Sequence, residues 1–289
     1  MTSAKTFNYF QPLLFGISYR MLGSVTGTEA ILQEALSRWK RAPQSAEDSP
    51  RLYLSSTVMR LCIEHALQVQ SQRKKYTGVW LPEPLMAHPD AGQANTVPLA
   101  ESLTMVFLAV LDSLSPLQRA AYLLREVFVY EFAEIAQVLE TSDDECRRLA
   151  RQAKEYVSAH RARFAAAPEQ QTRTAQKFAR GFVNGDMPGM MALMSEEVTL
   201  WVDDGGKIDA PREPLSGPGY VARYFLNLLP TLPPAFTARV GHANGQPAIV
   251  GRVSRRPYNV AVLDVDGDHI RGIRQIINPD KLRHLPADA

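Results

Sequence analysis

The chain has 289 residues, 45% of them hydrophobic and 21% charged, with a formal net charge of +2. That length exceeds the roughly 100–200 residues of one domain and points to two or three. No apolar run nears the roughly 20 residues that cross a bilayer, and MTSAKTFNYF lacks the layout of a signal peptide, so the expected address is cytoplasmic, away from membranes. Cys62 and Cys146 lie far apart with no CxxC and no nearby His pair, which excludes a disulfide framework and a zinc site. Neither half is basic overall, so any contact with nucleic acid must come from local clusters.

Residues 8–76 read as helices. Pro12 to Leu22 is a short apolar helix ending at Gly23. A second, from about Thr28 to Arg41, carries Ile31, Leu32, Ala35, Leu36 and Trp39 on one stripe and Glu29, Gln33, Glu34 and Arg38 on the other. A third begins near Pro50, turns Leu54, Val58, Leu61 and Leu67 inward, and ends in Arg73, Lys74 and Lys75. From Gly78 to Pro98 prolines replace periodic apolar positions, as in a linker. Within it stands WLPEP, Trp80 to Pro84. Trp80 reads either as a lone aromatic packed on its nearest domain or as part of a docking motif.

Residues 99–164 are helical again. Ser115, Pro116 and Gln118 supply an N-cap, a proline at the first helical position and a capping-box partner. A short helix, Glu131 to Leu139, leads through Glu140 and Thr141 to Ser142-Asp143-Asp144-Glu145. This second capping box opens a helix running to about Phe164. Short helix, tight turn and capped longer helix fit a helix-turn-helix, whose second helix enters the major groove. Arg147, Arg151 and Lys154 fall at i, i+4 and i+7 with Arg148 beside them, as phosphate and base-edge contact would need. A solvated face on a plain helical hairpin is the other reading, and Asp143, Asp144 and Glu145 favour it by repelling phosphate.

Residues 165–172 form a second linker, after which the period changes. Residues 174–194 read as two helices broken near Gly185, and 198–202 as a strand. Residues 216–229 read as a helix, and 235–241, 247–254, 257–265 and 269–277 as strands, with Asp266-Gly267 a hairpin turn. Helices followed by a strand meander indicate an α+β domain.

Eight segments in this order resemble the extracytoplasmic-function (ECF) sigma factors with a SnoaL-like C-terminal extension. They are LLFGISYRMLGS (13–24), EAILQEALSRW (29–39), YLSSTVMRLCIE (53–64), WLPEPL (80–85), LDSLSPLQRAAYLLREVFVYEFAEIAQVL (111–139), SDDECRRLARQAKEYV (142–157), DDGGK (203–207) and NPDKL (278–282). The resemblance implies a multidomain chain: two all-α helical domains, sigma region 2 (1–77) and the region 4 helix-turn-helix (99–164), joined by a linker with WLPEP (78–98). After the linker at 165–172, an α+β SnoaL-like, nuclear-transport-factor-like cone (173–289) follows.

The implied function is an alternative sigma factor, not an enzyme. It would bind core RNA polymerase, recognise −10 and −35 promoter elements and be modulated by its own C-terminal domain. Glu29, Gln33, Glu34 and Arg38 match the polymerase-docking face, a polar surface suited to fast, specific encounter. Tyr53, Arg60, Arg73, Lys74 and Lys75 have the chemistry to grip an open −10 strand. Arg147, Arg148, Arg151 and Lys154 would read the −35 element. Trp80, Leu81, Pro82, Glu83 and Pro84 would meet Asp204, Gly205, Gly206, Lys207, Asn278, Pro279, Asp280 and Lys281 in an interdomain regulatory contact.

Two positions depart from the pattern. Ala30 stands where the family usually has an acid. HALQVQSQ (65–72) replaces a run that tends to be arginine-rich, which predicts an unusual promoter or reduced basal activity. The alternative is a small-molecule sensor or cyclase/isomerase-like enzyme with a repurposed DNA-binding arm. Its acids and bases would come from Asp203, Asp204, His242, Asp268 and His269, none of which pairs at a diagnostic spacing. The expected partners are core RNA polymerase, promoter DNA and a small-molecule ligand in the C-terminal pocket. No cofactor and no metal are expected.

Overall fold

The computed structural model describes residues 3–43, 48–73, 76–86, 103–160 and 167–287. They divide into two compact units, one from 3–73 and 103–160, the other from 76–86 and 167–287. Lys74, Lys75 and the side chain of Arg73 lie outside the described residues.

The first unit is all helix: α1 (Ser3–Leu22), α2 (Val25–Trp39), α3 (Pro50–Arg73), α4 (Met105–Asp112), α5 (Pro116–Tyr122), α6 (Phe132–Leu139) and α7 (Asp143–His160). Helix α1 begins nine residues ahead of Pro12, whose ring the sequence pattern took as the start. Phe7 is buried and Phe10 packs on the core, so tertiary burial carries the helix through its proline. The stripe expected on α2 is buried at Ile31, Leu32, Ala35 and Trp39. On α3, Leu54, Val58 and Leu61 are inside, but Leu67 is 56% exposed because the helix has left the core by that turn.

The two helical segments share one core. Leu14, Ile17, Leu54 and Val58 cluster with Phe107, Leu123, Tyr130, Ile135 and Val138. Polar bonds cross the same seam. Buried Arg119 donates to the Met21 carbonyl at 2.6 Å and pairs with Asp112 at 3.0 Å. Ser55 Oγ and Tyr130 Oη share a 2.6 Å hydrogen bond. Helix α5 starts with the anticipated capping box between Ser115 and Gln118. It closes in a π-turn over Leu123–Val127, after which exposed Val129 takes φ 58°, a strained value for a β-branched residue.

In the second unit, α8 (Pro168–Asn184) and α9 (Met187–Ala192) precede a six-stranded sheet. Gly185 makes the expected break by capping α8 at φ 66°. The strands are β1 (Met194–Asp203), β2 (Leu215–Ser216), β3 (Phe236–Ala243), β4 (Gln246–Val253), β5 (Arg256–Asp266) and β6 (His269–Ile276), with α10 (Pro218–Leu228) between β2 and β3. Their order is β2-β1-β6-β5-β4-β3, with β1 and β6 parallel and the other pairs antiparallel. Phe178 and Phe182 of α8 and Phe225 of α10 pack with Leu200, Val202, Ile249, Ala261, Leu263 and Ile273 on one sheet face. This is the expected α+β domain, with helices laid against one face of the sheet. Residues 76–86 belong to the same unit, forming a strap whose Met86 bridges Ala243 at the end of β3.

Candidate functional site

Glu29, Gln33, Glu34 and Arg38 are all exposed along the outer face of α2, with Arg38 bonded to Glu34 at 2.8 Å. Exposed Ala30 sits among them. On α3, Tyr53 is half-buried against Trp39, ring centroids 5.6 Å apart. Arg60 is engaged: it donates to the carbonyls of Gln137 (3.1 Å) and Val138 (3.2 Å) at the end of α6 and pairs with Glu140 at 2.7 Å. These carbonyls are the unsatisfied acceptors of a helix C-terminus, where a cation is favoured.

The turn between α6 and α7 is made by Glu140 in the left-handed conformation, φ 52°. Ser142 Oγ accepts the Glu145 amide at 3.2 Å, half of the expected box. The other half is not formed, because the Glu145 carboxylate is taken by Arg148 at 2.8 and 2.5 Å, which holds that acid below its ordinary pKa. Arg147 faces Asp143 at 3.8 Å and lies 4.4 Å over the Phe132 ring, while Lys154 pairs with Glu126 at 2.9 Å. Exposed Arg151 has no ion pair with any described residue. The acids at the start of α7 therefore orient two of its cations rather than standing bare.

The densest polar cluster lies at the strap. Asp203, alternating with core-facing Val202, projects from the sheet face opposite the helices and is fully buried. It accepts the Leu81 amide at 2.6 Å, the Tyr76 hydroxyl, and Lys281 Nζ at 2.6 Å. Lys281 also donates to the Leu81 carbonyl and lies 4.3 Å over the Trp80 ring and 5.1 Å over Tyr76. Burial and the Asp203 carboxylate push the Tyr76 phenol well above its usual range, so it remains a donor. Asn278 Nδ2 donates to Tyr76 Oη at 3.0 Å.

Further along, His284 Nε2 meets the Pro84 carbonyl at 2.8 Å and Asn244 exchanges two bonds with Leu85, at 2.8 and 2.9 Å. Leu81, Pro82, Glu83 and Pro84 are buried. The platform has its own brace. Lys207 pairs with Asp280, lowering that carboxyl's pKa, and the amides of Ile277 and Asn278 both bond the Asp203 carbonyl at 2.9 Å. Gly205 at φ 65° lies so close to Asn278 that a Cβ would stand 2.3 Å from Nδ2.

The structure thus gathers Trp80, Leu81, Pro82, Glu83 and Pro84 with Asp204, Gly205, Gly206, Lys207, Asn278, Pro279, Asp280 and Lys281 in one unit. Trp80 stacks on a lysine inside this docked motif instead of packing alone. Sequence reasoning missed Tyr76, Asn244 and His284. Each acts singly, without a spacing signal. Asp203 is a structural hub, Asp268 accepts Gln170 Nε2 at 2.6 Å, and His242 and His269 are exposed. None of these, nor Asp204, lines the cavity of about 310 Å³ between the helices and the sheet. Among the described residues no cluster fits a metal ion, and no helix is long and apolar enough to cross a membrane.

The sigma-70 region 4 family matches residues 104–157, the span of α4 to α7. The ECF RNA polymerase sigma factor SigJ of Mycobacterium tuberculosis is 30% identical over 285 residues, covering 94% of this chain and 91% of that protein. The chain belongs to the ECF RNA polymerase sigma factors. This sigma factor is also 26% identical to the probable ECF RNA polymerase sigma factor SigI of Mycobacterium tuberculosis, over 95% of this chain and 93% of that protein. The crystal structure of Mycobacterium tuberculosis SigJ aligns with a TM-score of 0.76 at 27% identity, covering 96% of the sigma factor and 97% of that chain. The likeness therefore spans both units.

Proposed function

We propose that this sigma factor binds core RNA polymerase through Glu29, Gln33, Glu34 and Arg38, and reads promoter DNA with its helical unit. Arg147, Arg148, Arg151 and Lys154 would contact the −35 element; Tyr53, Arg60, Arg73, Lys74 and Lys75 would contact the −10 element. The C-terminal unit regulates this activity by holding the strap. The observation that carries the regulatory reading is the buried node of Asp203, Lys281, Tyr76 and Leu81, which pins the chain between α3 and α4 to a different unit. Arg60 supports the restraint, since its donors are occupied on α6 and must be freed before they reach a nucleic acid.

Run-off transcription with core polymerase and a candidate promoter tests both layers. Full-length protein should give a transcript, and Lys281→Met, which keeps the stem and removes the charge, should raise its yield severalfold. No polymerase binding and no transcript from any version would sink the sigma activity. A yield unchanged by Lys281→Met would remove the strap from regulation.

The enzyme alternative finds no support in the cavity walls, where none of the acids and bases offered for it is present. The sensor alternative does, because that cavity exists and lies inside the regulatory unit.

A further inference from the structure

The cavity of about 310 Å³ sits between α8, α10 and the concave face of the sheet, at the small end of the roughly 300–1,000 Å³ typical of ligand sites. Its walls are mostly apolar, with Phe178, Phe182 and Phe225 from the helices and Ile249 and Ala261 from the sheet. Two carboxamides interrupt this surface, Gln275 of β6 and Asn259 of β5. Gln275 is 1% exposed. The side-chain oxygens of both are buried without a hydrogen-bond partner. Buried polar atoms are almost always satisfied, so two orphan acceptors just behind the wall of one cavity, which a turn of each carboxamide brings to its surface, ask for a donor.

The sheet register makes room for that donor. Ala261 stands opposite Gln275, and Gly251 opposite Asn259. A Cβ on Gly251 would lie 1.9 Å from Asn259 Oδ1 and 2.6 Å from the Phe236 ring, so only glycine leaves the amide its place. Charge is nearly absent. The Tyr224 phenol is held neutral by burial, and the Asp209 carboxylate in the lining is exposed. An anion would lose its hydration there without a buried cation, and would also meet the field of the buried Asp204 carboxylate that reaches Tyr224.

We propose that this cavity is an effector site for a neutral, ring-sized, mainly apolar molecule carrying a hydroxyl or N–H donor, read by Gln275 and Asn259. The site also touches the strap platform. Ile277 lines the cavity while its amide bonds the Asp203 carbonyl, and Ile208 and Asp209 of the lining follow Lys207 directly. An occupant presses on the loops that hold the strap. That consequence rests on the regulatory reading above; the binding itself does not.

Equilibrium dialysis of the full-length protein against 1-naphthol, naphthalene and 1-naphthoate tests the site without polymerase. 1-Naphthol should bind saturably at one site per chain, at least tenfold tighter than naphthalene, which has no donor, and than 1-naphthoate, which is charged. Gln275→Leu should erase the preference for 1-naphthol over naphthalene. Ala261→Phe should fill the cavity and abolish both; if it does not fold, Gln275→Leu decides alone. No saturable 1-naphthol binding, equal binding of naphthalene to the wild type, tighter 1-naphthoate, or a preference surviving Gln275→Leu overturns the proposal. Run-off transcription with and without 1-naphthol then reports on the strap separately: naphthol binding without a change in transcript refutes the coupling but not the site.

Discussion

Asp203 collects three donors from two distant stretches of chain, Tyr76 and Leu81 of the strap and Lys281 near the end of the chain, at a fully buried position. A buried ion pair gains little over an apolar pair, yet removing one partner strands the other. Asp203→Ala should therefore cost about 3–5 kcal/mol, read as a fall in the urea midpoint at constant slope. The double variant Asp203→Leu, Lys281→Met should recover only part of that loss, because no charge is stranded but the Leu81 amide and the Tyr76 hydroxyl lose their acceptor. Arg274 follows the same logic. It is buried against Asp264 and over the Trp201 ring, and burial lowers its pKa to about 10, so it stays charged at neutral pH. Gln246 holds the other Asp264 oxygen at 2.7 Å, and Gly272 leaves that carboxylate its space. Arg274→Ala should destabilise by about 3–5 kcal/mol, whereas Arg271→Ala, which removes an exposed side chain paired with Asp266, should cost under about 1 kcal/mol. Equal losses at the two sites would contradict the buried-pair account.

The helix starts marked by a capping residue were the most legible elements. A capping box with proline at its first helical position is written in adjacent residues, and Ser115 and Gln118 form it with bonds of 3.2 and 3.3 Å. Ser115→Ala should cost about 0.5–2 kcal/mol of stability, checked by the same urea melts. At α7 the pattern sent the Glu145 carboxylate back to the capping box, and only the three-dimensional placement of Arg148 shows where it goes instead. Leu67 was misjudged for a related reason: periodicity says which face a residue is on, not where the core ends. Five of the six described strands were readable in type and order; β2, two residues long, was missed, its Ser216 taken into the helix expected at 216–229. The parallel pairing of β1 with β6 was not readable, because it joins segments about seventy residues apart. On α7, Arg151 is the cation least tied by neighbouring acids. Arg151→Ala should weaken −35 binding and reduce the salt slope by about one, measured as log affinity against log salt. Binding and slope that stay unchanged would take this face out of the DNA interface.

Across the whole molecule, the motifs of the candidate site were visible as words in the sequence, but their grammar was not. WLPEP, DGGK and NPDKL could each be quoted; that they meet around Asp203 follows from a sheet that brings residues 203 and 278 side by side. The strap also alters reach. The 31 residues between α3 and α4 could extend over roughly 100 Å if unconstrained, but the 11 residues of the strap are held on the C-terminal unit. Two fluorophores, one on α2 and one on α7, should therefore report longer distances in Lys281→Met than in the wild type once polymerase is added. Identical distances would argue that the strap sets no limit.

The order in which the chain is made gives the strap a timetable. Leu81 precedes Asp203 by 122 residues and Lys281 by 200. At translation rates of roughly 5–20 residues per second, the strap emerges about 10–40 s before its last anchor exists. Helices α1 to α3 are made before the strap, and α4 to α7 are synthesised within that interval. Each newborn molecule therefore passes through a strap-free infancy, long on the scale of helix packing, before the lock can close.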